Sequence, residues 1–175
     1  MSELVELTIP AKHRYTEVVR ACLQAFLEQI PGMAETDTFH FLLFVVHEAC
    51  TNVIQHAYDK GLKGATVTVK TAVDEQTGQL VIELRDGGHS FDPLLADWPP
   101  PSSWQKETHN HQIAYRLLSV PEPDPLWETS RGLYFMAQVF DEVLYLPEEG
   151  NNRWIMMKEL DLVAASESGK TILWS

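Results

Sequence analysis

Three side chains with chemical potential stand four residues apart: Glu48, Asn52 and His56, inside the segment His47 to Tyr58, HEACTNVIQHAY. Each four-residue step of a helix climbs about 6 Å and turns only about 40° beyond a full circle, so the three form one narrow stripe. Leu42, Val45, Ala49 and Val53 recur beside them at helical intervals and mark the face that meets a core. The polar stripe borders that face and belongs at the edge of a cleft. A carboxylate, an amide oxygen and an imidazole placed there suit a base, a metal ligand and a support. A solvated helix face is the alternative. A zinc-protease helix is excluded, because HExxH needs histidine where Thr51 stands.

Two further groups carry chemistry. Asp86-Gly87-Gly88-His89-Ser90-Phe91-Asp92-Pro93 follows an apolar run. A carboxylate at a strand end accepts from the exocyclic amine of adenine; guanine, with a carbonyl there, leaves the charge unpaired at about 1–3 kcal/mol. An ordinary Asp-Gly turn is the alternative. Arg131-Gly132-Leu133 opens a later helical pattern, where free N–H groups and the helix dipole favour phosphate. Arg131 as a plain surface charge is the alternative there.

The elements that must position these groups follow from periodicity. Leu4 to Ile9 alternates and stops at Pro10, an edge strand. A helix is expected over 13–29, ended by Ile30-Pro31-Gly32, and the stripe-bearing helix from about 35 or 36, with Asp37 and Thr38 as cap candidates. Residues 65–73 and 80–84 read as strands around a turn. The stretch 93–130, rich in proline, reads as a lid or insertion containing a short helix over about 106–118. His109 and His111 within it lack the partners a zinc site needs. A helix over 131–140 and strands over 141–146 and 153–160 complete the order, and 161–175 reads as a tail. Consecutive hairpins imply a two-layer α/β (α+β) sandwich, a mainly antiparallel sheet with helices on one face, in a single domain over 1–160.

The chain has 175 residues and a formal charge of −12. Such a surface repels phosphate backbones and anionic membranes, so neither nucleic acid nor membrane is an expected partner. A nucleotide would need a local device: backbone N–H groups, a helix N-terminus or a metal ion. No apolar run reaches membrane-spanning length. MSELVELTIP lacks a basic region followed by an apolar core, so the expected compartment is the cytoplasm. Cys22 and Cys50 are expected as free thiols.

Together the three blocks, Glu48-x-x-x-Asn52-x-x-x-His56-Ala57, Asp86-x-Gly88-x-Ser90-Phe91-Asp92-Pro93 and Arg131-Gly132-Leu133, resemble the N, G1 and G2 boxes of the GHKL ATPase superfamily. Within it they are most similar to the anti-sigma-factor serine kinases of bacterial partner switching, as are Asp141-Glu142-Val143 and Gly150-Asn151-Asn152. The resemblance spans most of 4–160. It implies a histidine-kinase-like ATPase fold, ATP and Mg²⁺ as cofactors, and phosphorylation of a serine or threonine on an anti-sigma-antagonist (STAS-type) protein. It further implies a possible sigma-factor partner and a homodimer. By the same resemblance Glu48 is the general base and Asn52 the Mg²⁺ ligand. Asp86 reads adenine, Gly88 lets the base approach backbone, and Gly132 with the N–H groups after it takes phosphate. Arg131, Leu133 and Ser90 complete the nucleotide site, and His56 supports the stripe. Two departures bear on turnover more than on binding: Thr129 and Ser130 stand where the branch commonly has glycines, and 93–130 is long. A nucleotide-gated binding module without phosphoryl transfer is the second reading.

Overall fold

The computed structural model describes residues 2–58, 63–74, 76–124 and 131–160. The expected tail over 161–175, and Thr129 with Ser130, lie outside the described residues. Seven strands form one sheet: β1 (Ser2–Pro10), β2 (Thr66–Asp74), β3 (Gln79–Asp86), β4 (Trp104–His109), β5 (Gln112–Leu117), β6 (Glu142–Leu146) and β7 (Asn152–Glu159). Their order is β1-β2-β3-β7-β6-β5-β4, and every neighbouring pair is antiparallel. Three helices, α1 (Thr16–Leu27), α2 (Asp37–His56) and α3 (Arg131–Val139), form the second layer. The expected sandwich is therefore present, with its sheet wholly antiparallel.

Alternation along the strands decides what meets the helices. Val67, Val69, Val73, Leu80, Ile82, Leu84, Val143 and Met156 join the core with Val19, Leu23 and Leu27 of α1 and Leu42, Val45, Val46, Ala49 and Val53 of α2. Asp86 continues the inward row of Leu80, Ile82 and Leu84, so the two-residue period of a strand carries a carboxylate onto the buried face. β7 does the same with Asn152, which pairs with Asp86 across the ladder. α2 is the central helix, packed between α1 and α3. Its N-cap is Thr36, one residue before the expected candidates, whose side chain accepts from the Phe39 N–H at 3.1 Å.

Within the stretch expected as a lid or insertion, the expected short helix is replaced by strands. Residues 104–117 form the β4–β5 hairpin, which extends the sheet past β6, and no helix occurs over 106–118. Its turn rests on Asn110 and His111, with φ of 48° and 67°. Two consecutive positive φ angles match the right-handed twist of hairpin strands, and Asn tolerates that region well. Arg116 on β5 grips Glu107 of β4 through two bonds of 2.9 Å and also pairs with Glu142 of β6.

Candidate nucleotide site

One end of the sheet and the C-terminal half of α2 enclose a cavity of about 590 Å³. Asn52 and His56 line it from α2, Asp86 and Leu84 from β3, and Leu133 and Met136 from α3. His89, Ser90 and Phe91 come from the loop after β3, Leu95 and Trp98 from the segment beyond it, and Tyr145 and Trp154 from β6 and β7. Groups from three distant blocks of sequence thus converge on one hollow. Glu48, Gly88, Arg131 and Gly132 do not line it. Glu48 sits one turn before Asn52 with its side chain a third exposed (33 %).

The Asp86 carboxylate is 5 % exposed. Its Oδ1 accepts from the Gly88 N–H at 3.0 Å and from Asn152 Nδ2 at 3.0 Å, and among the described residues Oδ2 has no hydrogen-bond donor. Burial raises the Asp86 carboxyl above the usual carboxylate range, while the Asn152 and Gly88 donors oppose that rise. The fixed oxygen orients the group, and the second is left to a ligand donor.

Asn152 holds this arrangement together. Only 1 % exposed, it donates from Nδ2 to Asp86, to the Gly88 carbonyl at 3.0 Å and to the His89 carbonyl at 3.2 Å. Its Oδ1 accepts from Ser90 Oγ at 2.7 Å, from the Glu148 N–H at 3.2 Å and from the Tyr145 hydroxyl at 3.3 Å. Burial pushes the Tyr145 hydroxyl up to about 12, so it stays a donor near neutral pH. Glu149 closes the loop from outside, accepting from the Ser90 N–H and facing the His89 ring, each at 3.0 Å.

The two glycines serve close approach. A Cβ on Gly88 would lie 2.0 Å from the Ala57 carbonyl oxygen, so the loop after β3 presses on the backbone at the end of α2. There the His89 N–H donates to the Ala57 carbonyl at 2.7 Å, satisfying one of the carbonyls a helix leaves open at its C-terminus. The Tyr58 hydroxyl accepts from the Gly87 N–H at 2.8 Å beside it. A Cβ on Gly132 would lie 2.0 Å from Asn52 Nδ2, so the first turn of α3 abuts the Asn52 amide.

A model of the histidine kinase-like ATPase domain matches residues 9–158. The chain belongs to that family. Relatives named serine-protein kinase RsbW include that of Bacillus velezensis, 31% identical over 142 residues, covering 81% of this chain and 76% of that protein. The Bacillus licheniformis protein is 32% identical over 142 residues, 81% of this chain and 77% of that protein. The Bacillus subtilis protein is 28% identical over 143 residues, with the same two coverages.

Within this ATPase domain the Asn52 amide is half-buried, lines the cavity and has no hydrogen-bond partner among the described residues. An unpaired neutral amide oxygen suits Mg²⁺, which prefers hard oxygen ligands and takes few from protein, the rest from phosphate and water. The residues present fit that ion arriving with a nucleotide. Sequence reasoning passed over Asn152 and the aromatic wall of Phe91, Trp98, Tyr145 and Trp154. Asn152 was visible only as part of a Gly-Asn-Asn turn. Its register opposite Asp86 is the signal that assigns it, and register requires the pairing of β3 with β7. No helix among the described residues is long and apolar enough to cross a membrane.

Proposed function

We propose that the protein is an ATP-dependent serine/threonine protein kinase and anti-sigma factor of a partner-switching system. Its substrate is a STAS-type anti-sigma antagonist, and its γ-phosphoryl donor is Mg·ATP bound in the cavity. The observation that carries this reading is that Asp86 and Asn52, brought from β3 and α2, face one hollow beside the start of α3. The serine-kinase relatives support the same chemistry. In this reading Asp86 Oδ2 accepts from the adenine amine, and the Asn152 bonds keep it aimed. Asn52 holds the metal that neutralises charge on the phosphates. Backbone N–H groups at the start of α3, freed by Gly132, take a phosphate. Glu48, one turn outward from Asn52, takes the proton of the incoming hydroxyl. A sigma factor held when the antagonist is phosphorylated, a homodimer, and a cytoplasmic setting complete the proposal.

The test uses the intact protein and the STAS-type protein that co-purifies with it, incubated with γ-labelled ATP. Label on a partner serine or threonine, lost in Glu48→Ala, is the expected result. ATP bound without transfer of label would replace the kinase with a nucleotide-gated binding module.

A further inference from the structure

His47 precedes Glu48 on α2, and its Nδ1 lies 3.5 Å from Glu48 Oε1. The opposite ring nitrogen, Nε2, lies 3.0 Å from Thr16 Oγ1 and 3.4 Å from Glu17 Oε1, both on α1. The Thr16 hydroxyl has a single proton and donates it to the His13 carbonyl at 2.8 Å. Toward His47 it is therefore an acceptor, and Nε2 carries the hydrogen. A neutral ring so fixed turns the bare lone pair of Nδ1 toward the Glu48 carboxylate. Two atoms with lone pairs face each other there until a proton arrives between them.

We propose that His47 is the proton sink of Glu48, a positioning residue that holds the base and empties it after each transfer. This rests on the reading of Glu48 as the base. The acceptor hydroxyl oxygen bonds to the γ-phosphorus, the bond from that phosphorus to the β,γ-bridging oxygen breaks, and its electron pair leaves with ADP. The hydroxyl proton passes to Glu48 and from there to Nδ1. The imidazolium that forms lies between the Glu48 and Glu17 carboxylates. Arg20, 2.9 Å from the other Glu17 oxygen, holds Glu17 below the usual carboxylate range and so in its charged form. Among the described residues the Glu17 and Glu48 carboxylates pair with the ring, from α1 and α2, and Arg20 reaches it only through Glu17. With its side chain 26 % exposed, His47 then returns the proton to water.

Two measurements on the intact protein test the device. Nitrogen-15 spectra of the histidine rings report the tautomer without turnover: neutral His47 is expected as Nε2–H, and as a mixture in Thr16→Val. A neutral Nδ1–H ring in the wild type overturns the proposal. ADP release from Mg·ATP, with water as acceptor, is then followed. His47→Gln is expected to bind Mg·ATP within about twofold of wild type and turn over about tenfold more slowly, a loss carried by kcat and not by KM. An unchanged kcat in His47→Gln overturns the proposal while leaving the kinase reading intact. Wild-type turnover that survives Glu48→Gln, or no ADP release at all, overturns the reading of Glu48 and the sink with it.

Discussion

Asp86 ends a row of apolar side chains, so its charge is held at a cost that the unliganded protein does not recover. Folding raises its carboxyl above the usual range, with burial as the main cause. For an acid raised in this way, the stabilising contribution is present at low pH and is lost as pH rises through the raised value. In the proposed reading Asp86 accepts from adenine in its ionised form. ATP affinity should therefore begin to fall, on acidification, at a higher pH than an ordinary carboxylate would give. Asp86→Asn removes the charge and keeps an oxygen for the Gly88 and Asn152 donors. Its melting temperature at pH 7 should equal or exceed that of the wild type. Its ATP affinity by calorimetry should drop about 10- to 100-fold, the worth of a hydrogen bond to a charged group at about 1.5–3 kcal/mol. Unaltered ATP affinity would remove Asp86 as the adenine reader. Asp86 was legible in the sequence because a strand end and a following glycine pair are local signals. Asn152 was not, because its bonds to Asp86 and Ser90 span 66 and 62 residues.

Each of the two close-approach glycines ties one element to another, and they should fail differently when alanine replaces them. At Gly88 the obstacle is the Ala57 carbonyl, backbone that cannot swing aside. Gly88→Ala should loosen the joint between α2 and the loop after β3 and cost about 1–3 kcal/mol or more, read as a lower melting temperature. At Gly132 the obstacle is the tip of a side chain, the Asn52 amide. Gly132→Ala should fold with undiminished stability, since alanine favours a helix, yet displace Asn52 and weaken Mg·ATP binding. Equal loss of stability in both variants would contradict this division. The helices were legible because their apolar spacing is regular. The β4–β5 hairpin was not: proline-rich flanks on both sides suggest a loop, and β4 carries Gln105, Lys106, Glu107 and Thr108 on a partly solvated edge. The usable signal was Asn110, a residue at ease with positive φ.

Across the whole molecule, the sheet is joined unevenly. β5 meets β6 at only two paired positions, Tyr115 with Tyr145 and Arg116 with Leu144, whereas β3 and β7 pair along eight. Arg116 bridges this narrow seam by pairing with Glu107 and Glu142. Arg116→Ala should raise amide exchange in β4 and β5 while leaving β1, β2 and β3 at wild-type protection. Uniform exchange across the sheet would mean the hairpin is no separate unit.

The aromatic wall of the cavity has a consequence for observation. Tyr145 and Trp154 stack at 4.3 Å between ring centroids, Phe91 lies 6.4 Å from the same indole, and Trp98 lines the hollow as well. In the proposed reading, an indole lining the hollow exchanges water for a π-system when a purine fills it, and its emission changes with that polarity. On that reading the protein carries an intrinsic optical gauge of its own occupancy, with two of the sequence's five tryptophans lining the hollow.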